Sequence, residues 1–338
     1  MAPVNTARKL DKIGAALDKL AGQAVDCRLC PRECGVDRSA GELGFCESGP
    51  AAVVSHALLH YGEEPVLSGT GGPDERRDTG ARSGSGTVFF SGCSLKCCFC
   101  QNYQLSWLGR GRITGDEELA VMMLALQEQG ALNINLVSPT HHLLPVLKAL
   151  QLAVRRGLSI PVVANSSGYE KASVLAHLDG IVDIYLPDLK YASAGPAAAY
   201  SGAPDYFEQA AESVREMFFQ QPLLVLDAGG AAERGLIIRH LVLPGSVENS
   251  LSVLDWVHRE LGTSVALSLM SQYQPCFRAP ESLGRPLERH EYDRVLGRAQ
   301  ELGFEQLFIQ PGAFGEDHLV PDFERAEPFD WGRRSGNK

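Results

Sequence analysis

The sequence predicts an α/β protein in which parallel strands form a partial (β/α)6-type TIM-like barrel behind a loop-rich N-terminal extension. From Thr87 onward, runs rich in Val, Ile and Leu alternate with helical segments, and polar residues recur where these runs end. Residues 23–85 are instead dominated by Gly, Pro and charged residues. Buried strands joined by helical crossovers form parallel sheets. We therefore divide the chain into an extension (1–85), a barrel (86–312) and a C-terminal tail (313–338).

The elements of the predicted barrel follow one another along the chain. Thr114 and Glu117 have the spacing of a capping box, and the helix they begin should end at Gly130. Further helices are expected over 205–219, 248–261 and 289–302, and a surface helix over 8–21. The expected strands are 87–92, 133–139, 160–167, 180–190, 235–245, 265–272 and 304–311, with 223–230 as a candidate extra strand.

Composition and charge exclude several classes of protein. The chain has 338 residues and is 44% hydrophobic, which is enough for a large core. Its net charge of −10 argues against a broad basic surface for nucleic acid. No apolar run reaches the ~18 residues that span a bilayer, and the N-terminus has no apolar signal-peptide core. We expect a cytoplasmic protein without a membrane partner.

The nine cysteines form two clusters, with Cys276 alone. Such clusters in a chain without an export signal favour metal or cluster ligation over disulfides. The first cluster has the spacing C-x2-C-x3-C-x11-C. Four thiolates could hold an auxiliary [4Fe–4S] cluster or a structural Zn²⁺, or could stay unmetallated, and we favour the iron–sulfur interpretation. The four residues are Cys27, Cys30, Cys34 and Cys46.

The second cluster lies in GCSLKCCFCQNY (92–103), directly after the first predicted barrel strand. Cys93, Cys97 and Cys100 form C-x3-C-x2-C. Three thiolates can hold three irons of a [4Fe–4S] cube and leave the fourth iron open to a substrate or cofactor. The alternative is a set of buried or zinc-binding cysteines. We expect Cys98 to point away from the cube as a small packed residue.

This motif, in this position, resembles the radical S-adenosylmethionine (SAM) superfamily, with Phe99 at the aromatic position before the third cysteine. The resemblance covers about residues 86–312. DIYLPDLKY (183–191) and GLIIRHLVLPG (235–245) resemble the fourth and fifth strands of pyruvate formate-lyase activating enzymes. The segments CRLCPRECGVDR, HYGEEPVLSGTGG, NINLVSPTHH, NSSGYE and FIQPG are similar to a PflX-like group within that class.

The resemblance implies a [4Fe–4S] cluster, SAM, and flavodoxin or ferredoxin as the reductant. SAM would be cleaved to methionine and a 5′-deoxyadenosyl radical that abstracts hydrogen from a substrate. The substrate would be a glycine on a glycyl radical enzyme or, alternatively, a small metabolite or a peptide. A non-catalytic iron–sulfur electron-transfer protein is the remaining alternative, which the open iron disfavours.

The resemblance also suggests which side chains contact SAM or the substrate. Asp188 and Lys190 fall two apart at a strand end, so they share a face and are either catalytic or a structural ion pair. The superfamily's Gly-Gly-Glu-like residues, which bind the methionine amino group, are replaced here by SPTHH (138–142). The cofactor-binding candidates are Phe99, a carbonyl near Ser138, the Thr140 hydroxyl, Asn165 and Ser167 for the ribose or for closing a turn, Arg239 for a carboxylate inside the barrel, and Gln272 for the adenosine.

Overall fold

The fold is built on one ten-stranded sheet in the computed structural model, which describes residues 6–69, 83–310 and 320–329. Seven of its strands run parallel to one another, each paired with the next in the row. They are β2 (Ser85–Phe90), β4 (Ile134–Val137), β5 (Val162–Ser166), β6 (Ile184–Pro187), β8 (Ala232–Leu241), β9 (Ala266–Met270) and β10 (Leu307–Ile309). The antiparallel strands are β1 (Ala52–His60) beside β2, β3 (Arg112–Thr114) beside β1, and β7 (Val225–Leu226) beside β8.

The strand order identifies the architecture. The seven parallel strands lie side by side in the order in which they occur along the chain, without the reversal that defines a doubly wound sheet. Right-handed crossovers in one direction place the connecting helices on a single face. Within the described residues the sheet does not close, since β3 and β10 end the row at opposite sides. The expected partial barrel is confirmed, with seven parallel strands.

Helices cover the outer face of the sheet. The long ones are α1 (Thr6–Leu20), α4 (Asp116–Glu128), α5 (Leu143–Arg155), α8 (Tyr206–Gln220), α9 (Val247–Leu261) and α10 (Arg289–Glu301). The short ones are α2 (Pro65–Ser68), α3 (Tyr103–Ser106), α6 (Ala172–Leu175) and α7 (Ala194–Ser201), with 3₁₀ turns at Ala21–Ala24, Thr140–His142, Ala176–Leu178 and Glu281–Leu283. No helix in the described part of the chain has the length and apolar character needed to cross a bilayer.

Part of the N-terminal extension packs against the inner face of the sheet. Alternate strand residues face inward, and Val163, Ile184 and Ile237 form a buried cluster with Leu67 of α2. The side chain of Asn133 donates to the Leu67 carbonyl at 2.8 Å. The extension therefore crosses the barrel interior, and β1 joins its sheet, so the segment before residue 86 and the barrel share one core.

Part of the C-terminal tail covers the inner face at β2. The rings of Phe323 and Phe329 lie 5.2 and 5.4 Å from that of Phe89, measured between centroids. The boundary expected at 312–313, and the rest of the tail, lie outside the described residues.

The loop-rich extension is confirmed, but it also contains a strand and a short helix that were not predicted, β1 (Ala52–His60) and α2 (Pro65–Ser68). One expectation about local structure is wrong. Thr114 and Glu117 do not form a capping box. Thr114 belongs to β3 and its hydroxyl donates to the Arg112 carbonyl, and α4 begins after Gly115 without a side-chain cap. β3 exists because β1 pairs with it, and the flanking residues alone do not reveal that partner.

Candidate functional site

The loop that carries Cys93, Cys97 and Cys100 begins at the carboxyl end of β2, where barrel active sites are assembled. Gly92 makes the turn with φ +85°, a conformation that suits glycine. A Cβ at this position would come within 2.5 Å of the Cys46 carbonyl oxygen. Glycine is therefore required here both by the turn and by the close approach of the N-terminal cysteine segment.

Of the three thiols of this loop, that of Cys97 is buried and those of Cys93 and Cys100 are half-buried, and they lie close enough to influence one another. Cys93 Sγ accepts two backbone N–H groups of the loop, at 3.3 and 3.4 Å. Cys97 Sγ accepts the Ser201 hydroxyl at 3.1 Å. Burial raises the pKa of Cys93 to about 11 and that of Cys100 to about 12, and the charge of Cys97 adds to both shifts. Thiolates in this place need a neighbouring positive charge.

The residues present fit a [4Fe–4S] cluster. Each iron of a cube takes one thiolate, so three soft sulfurs can hold three irons. An iron cluster would also supply the positive charge that three desolvated thiolates require. The backbone N–H groups directed at Cys93 are of the kind that tune such clusters through hydrogen bonds to sulfur.

Asp188 and Lys190 form a half-buried ion pair beside these thiols. Burial by itself lowers the pKa of Lys190, but the Asp188 carboxylate and then Cys97 outweigh it and raise that pKa. The Tyr206 hydroxyl holds the segment by accepting the Lys190 N–H and sharing its proton between the carbonyls of Asp188 and Ser167, at 2.9 to 3.0 Å. A permanent cation is thereby fixed next to the cysteine loop.

The SPTHH segment (138–142) packs against the end of β2, where the cysteine loop begins. His141 and His142 each place Nε2 2.9 Å from the carbonyl oxygen of Ser91. Burial lowers the pKa of His141 to about 4 and that of His142 well below its usual value, so both rings are neutral near pH 7. The pair anchors the end of β2.

The hydroxyl of Thr140 is already engaged. It bonds to the Glu170 carboxyl, whose pKa burial raises to about 7. Ser138 adopts φ +56° and its N–H donates to the Asn165 carbonyl at 2.7 Å. Ser138 thus ties the ends of β4 and β5 together.

The segment after β5 forms a tight turn. The hydroxyls of Ser166 and Ser167 accept the N–H groups of Gly168 and Tyr169, at 3.2 and 3.4 Å. The Ser167 hydroxyl therefore closes a turn, and its contact with the ribose stays a prediction.

Arg239 pairs with two carboxylates inside the barrel. Its Nε lies 2.9 Å from Glu64 Oε1, and Nη2 contacts both Glu64 and Glu63. Asn135 donates to Glu63 at 2.8 Å. The mid-strand position of Arg239 predicts such a pairing but not its partners. The signal that could have found them is HYGEEP, two acids in a segment that the family resemblance already singles out.

Phe99 and Gln272 lie on the far side of the cysteine loop. The Phe99 ring packs edge-on against Tyr200 and Tyr273, at centroid distances of 6.2 and 5.9 Å. The carbonyl of Gln272 accepts the Gln101 amide at 2.9 Å, which joins the end of β9 to the loop. The structure thus brings Gln272 to the loop.

Cys98 and Cys276 also meet at this edge. Cys98 is anchored by its backbone N–H, which donates to Tyr200. Cys276 Sγ lies 3.5 Å from the carbonyls of Phe99 and Cys100. Both residues therefore adjoin the motif, and that Cys98 is not one of the ligands stays a prediction.

The N-terminal cysteines form a second loop, with Cys27, Cys30 and Cys46 buried and Cys34 half-buried. Burial raises the pKa of Cys30 to about 12, with smaller contributions from Glu170, Cys46 and Cys27. Arg38 donates to Cys46 Sγ at 3.1 Å and to the His141 carbonyl at 2.6 Å. Within 6–69, 83–310 and 320–329, no three Cys, His, Asp or Glu side chains are grouped so as to hold a single metal ion.

The two cysteine loops pack directly on each other. The Arg32 guanidinium donates to the carbonyls of Ser94, Ser201 and Gly202, at 2.8 to 3.1 Å. Lys96 pairs with Glu47 at 2.7 Å. The extension thus forms one wall of the site.

Comparisons with known proteins leave the family open. No family model matches the sequence. The chain is 29% identical over 295 residues to the uncharacterized protein MJ0674 of Methanocaldococcus jannaschii, covering 84% of this chain and 77% of that protein. It is 22% identical over 315 residues to MJ0808 of the same organism, covering 90% and 87%. Among solved structures, methylornithine synthase (PylB) is similar with a TM-score of 0.44 and 14% identity, over 73% of this chain and 74% of that one.

Proposed function

We propose that this protein is a radical SAM enzyme. The observation that carries the proposal is the position of Cys93, Cys97 and Cys100, three mutually close thiols, one buried and two half-buried, on the loop that leaves the carboxyl end of β2. Together with SAM, a [4Fe–4S] cluster held by these residues would supply the reductive cleavage of the sulfonium to a 5′-deoxyadenosyl radical, which takes a hydrogen atom from the substrate.

The protein's own residues bind, orient and exclude water around that chemistry. Lys190, held by Asp188 and Tyr206, places a fixed cation beside the thiols, suited to a carboxylate of SAM or of the substrate. The neutral His141 and His142 hold the Ser91 carbonyl and with it the base of the loop. Burial of the loop under the extension excludes water.

The experiment is SAM cleavage under anaerobic conditions. We expect reconstituted protein with dithionite to form 5′-deoxyadenosine, and we expect alanine at Cys93, Cys97 or Cys100 to abolish it. Cys98→Ala is the matched control, since Cys98 adjoins the motif without belonging to it, and it should keep most of the activity. Full activity in Cys97→Ala, or an iron-loaded wild type that leaves SAM intact, would exclude the proposal.

We further propose an auxiliary [4Fe–4S] cluster at Cys27, Cys30, Cys34 and Cys46, with structural Zn²⁺ as the alternative. Support comes from the burial of three of the four thiols and the Arg38 guanidinium bonded to Cys46. Wild type should bind about eight irons, and a Cys27→Ala/Cys30→Ala variant about four. One zinc and about four irons in the wild type would favour the structural zinc site instead.

For the substrate we propose a glycine of a glycyl radical enzyme, supported by the similarity of the Asp188–Lys190 segment to that of activating enzymes. A small metabolite or peptide is the second candidate. It is favoured by the C-terminal phenylalanines Phe323 and Phe329, which cover part of the inner face. Anaerobic incubation with SAM, reductant and a glycyl radical enzyme from the same organism should give a glycine-centred EPR doublet. Substrate-independent cleavage without that doublet would favour the second candidate.

A further inference from the structure

A continuous row of alternating cations and aromatic rings lies over both cysteine loops. We call it the cation–aromatic ladder. The Arg32 guanidinium lies 4.0 Å from the Phe45 ring centroid, and the Lys96 ammonium lies 5.5 Å from Phe45 and 5.6 Å from Trp107. Arg278 continues the row at 4.8 Å from Trp107. Phe277 and Tyr103 end it, and their rings stack at 4.8 Å.

The ladder reaches the surface. Phe45 is 41% exposed, Arg278 is exposed, and the neighbouring Leu43 and Leu108 are exposed apolar side chains. Phe45 directly precedes Cys46, and the Trp107 indole N–H donates to the Cys97 carbonyl at 3.0 Å. The exposed side of the ladder is therefore separated from each cysteine loop by one residue or one hydrogen bond.

The charge of the ladder is opposite to that of the chain as a whole. The protein carries a net charge of −10, yet the ladder brings Arg32, Lys96 and Arg278 into one row. Lys96 is buried and its charge is offset by the exposed Glu47, so the positive charge at the surface of the ladder comes from the half-buried Arg32 and the exposed Arg278. Among the described residues, no carboxylate lies within ion-pair distance of Arg32 or Arg278, which are held by carbonyls and rings. A positive patch on an acidic protein steers acidic partners to one place.

We propose that the cation–aromatic ladder is the docking surface for an acidic one-electron carrier protein. This rests on the proposed function, which needs one electron per turnover at the cysteine loop: the carrier is oxidised by one electron and the bound cluster is reduced by one. The exposed Phe45 and the half-buried rings of Trp107, Phe277 and Tyr103 provide the apolar contact, and the cations provide the orientation. Single-stranded nucleic acid, which also binds aromatic and cationic surfaces, is the competing occupant.

The test compares two reductants on one enzyme. Dithionite needs no docking surface, whereas reduced flavodoxin does. We expect Arg278→Glu to form 5′-deoxyadenosine normally with dithionite but about tenfold more slowly with limiting reduced flavodoxin at low salt, because steering is lost. The difference should shrink at high salt, where charges are screened. Arg278→Lys should restore most of the rate.

Control variants separate docking from folding and from the proposed function itself. Lys148→Glu makes the same charge change on an exposed position of α5 and should leave both rates unchanged. Phe45→Ser should slow only the flavodoxin-driven rate. If wild type cleaves SAM with dithionite and Arg278→Glu shows an unchanged flavodoxin rate, the docking proposal is wrong while the proposed function stands. Tight binding of a labelled single-stranded RNA that Arg278→Glu abolishes, with flavodoxin unaffected, would also overturn it.

Discussion

Oppositely charged side chains lie close together inside the barrel, where they are mostly shielded from water. Arg239 bonds to Glu64 through both Nε and Nη2 and to Glu63 through Nη2, and all three side chains are mostly buried. Burial of Arg239 is outweighed by the two carboxylates, which raise its pKa. The buried trio carries one net negative charge, so removal of the guanidinium should be much more costly than loss of one surface ion pair.

Arg239→Met tests this. The variant leaves two carboxylates in a low-dielectric interior without a counter-ion, and we expect it to destabilise the protein by about 3–5 kcal/mol. Adding Glu63→Gln and Glu64→Gln should recover much of that loss, because the uncompensated charges disappear. Urea unfolding followed by circular dichroism gives the free energies. Arg259→Met, at an exposed position on α9, is the control and should change stability by less than about 0.5 kcal/mol. Equal effects of Arg239→Met and Arg259→Met would contradict the argument.

Gly168 is a second residue whose replacement should destabilise the protein. It has φ +75°, and a Cβ there would come within 2.1 Å of the Asp188 carbonyl oxygen. Gly202 also has a positive φ, of +56°, but nothing lies within 4 Å of its Cβ position. Gly202→Ala should therefore cost only the strain of the left-handed conformation, about 1 kcal/mol. Gly168→Ala should cost at least twice as much and reduce SAM cleavage, since it displaces the Asp188 segment. Thermal unfolding of the two variants measures the difference.

At the scale of elements, α10 is fixed by a single carboxylate. Glu291 completes a capping box with Glu288 and also accepts from the Gly245 N–H at 2.6 Å and from both Nη atoms of Arg285, at 2.7 and 2.8 Å. These donors, with Arg285 first, lower the pKa of Glu291 to about 2. One side chain thus joins the start of α10 to the loop before α9.

The sign of the pH effect follows from that shift. A carboxyl whose folded pKa lies below its unfolded value stabilises the protein above about pH 4.5, and this is lost as the pH falls towards 2. Glu291→Gln should therefore be about 2 kcal/mol less stable than wild type at pH 7, and the gap should narrow below pH 4.5. Urea unfolding at several pH values measures it. Asp293→Asn on the same helix, where the pair with Arg289 is exposed, should show no comparable gap.

At the scale of the molecule, the N-terminal extension contacts the barrel on several sides. α1 packs on α5 with Ile13 and Leu20 buried, and Lys9 pairs with Asp183 at 2.6 Å. The loop with the N-terminal cysteines covers the carboxyl end of β2. β1 adds a strand to the sheet, and α2 lies against the inner face of the sheet. The two cysteine loops therefore depend on each other for their order.

Metal removal tests that dependence. If metal or a cluster holds the loops, its removal should raise amide exchange at residues 26–50 and 91–101 by at least tenfold, because thiolate coordination would add cross-links to the packing of Leu29, Leu95 and Phe99 in the core. α9, which packs through Val253, Leu254 and Val257, is the internal control and should be unchanged. Hydrogen exchange measured by mass spectrometry, on reconstituted and on chelator-treated protein, gives the exchange rates of the two loops and of α9. Identical exchange in the two forms would mean that packing alone orders the loops.

Sequence alone predicts the elements whose signal is local. Continuous apolar runs predict the parallel strands to within a few residues, and the helix expected over 8–21 is confirmed as α1. The three-cysteine motif predicts its own loop because its three cysteines lie within eight residues. The partners of Arg239 are a different case, since Glu64 is 175 positions away. Their contact is decided by how the extension enters the barrel, which no local pattern encodes.

The same limit explains the missed strand and the wrong cap. β1 carries a mixture of apolar residues with Ser55 and His56, and it is a strand because β2 and β3 pair with it on both sides. Once β3 forms, Thr114 belongs to that strand and cannot cap α4. Tertiary pairing overrides a local capping signal in this case.

The placement of α2 inside the sheet also constrains how the chain is made. Residues 60–69 leave the ribosome before every strand that encloses them except β1, since β4 to β9 follow later in the chain. The barrel strands must therefore assemble around a segment that is already there, with Leu67 as an early surface for Val163 and Ile184 to condense upon. In a circularly permuted chain that begins at residue 83, this segment would be synthesised last. It would then have to insert into a barrel whose strands have already paired.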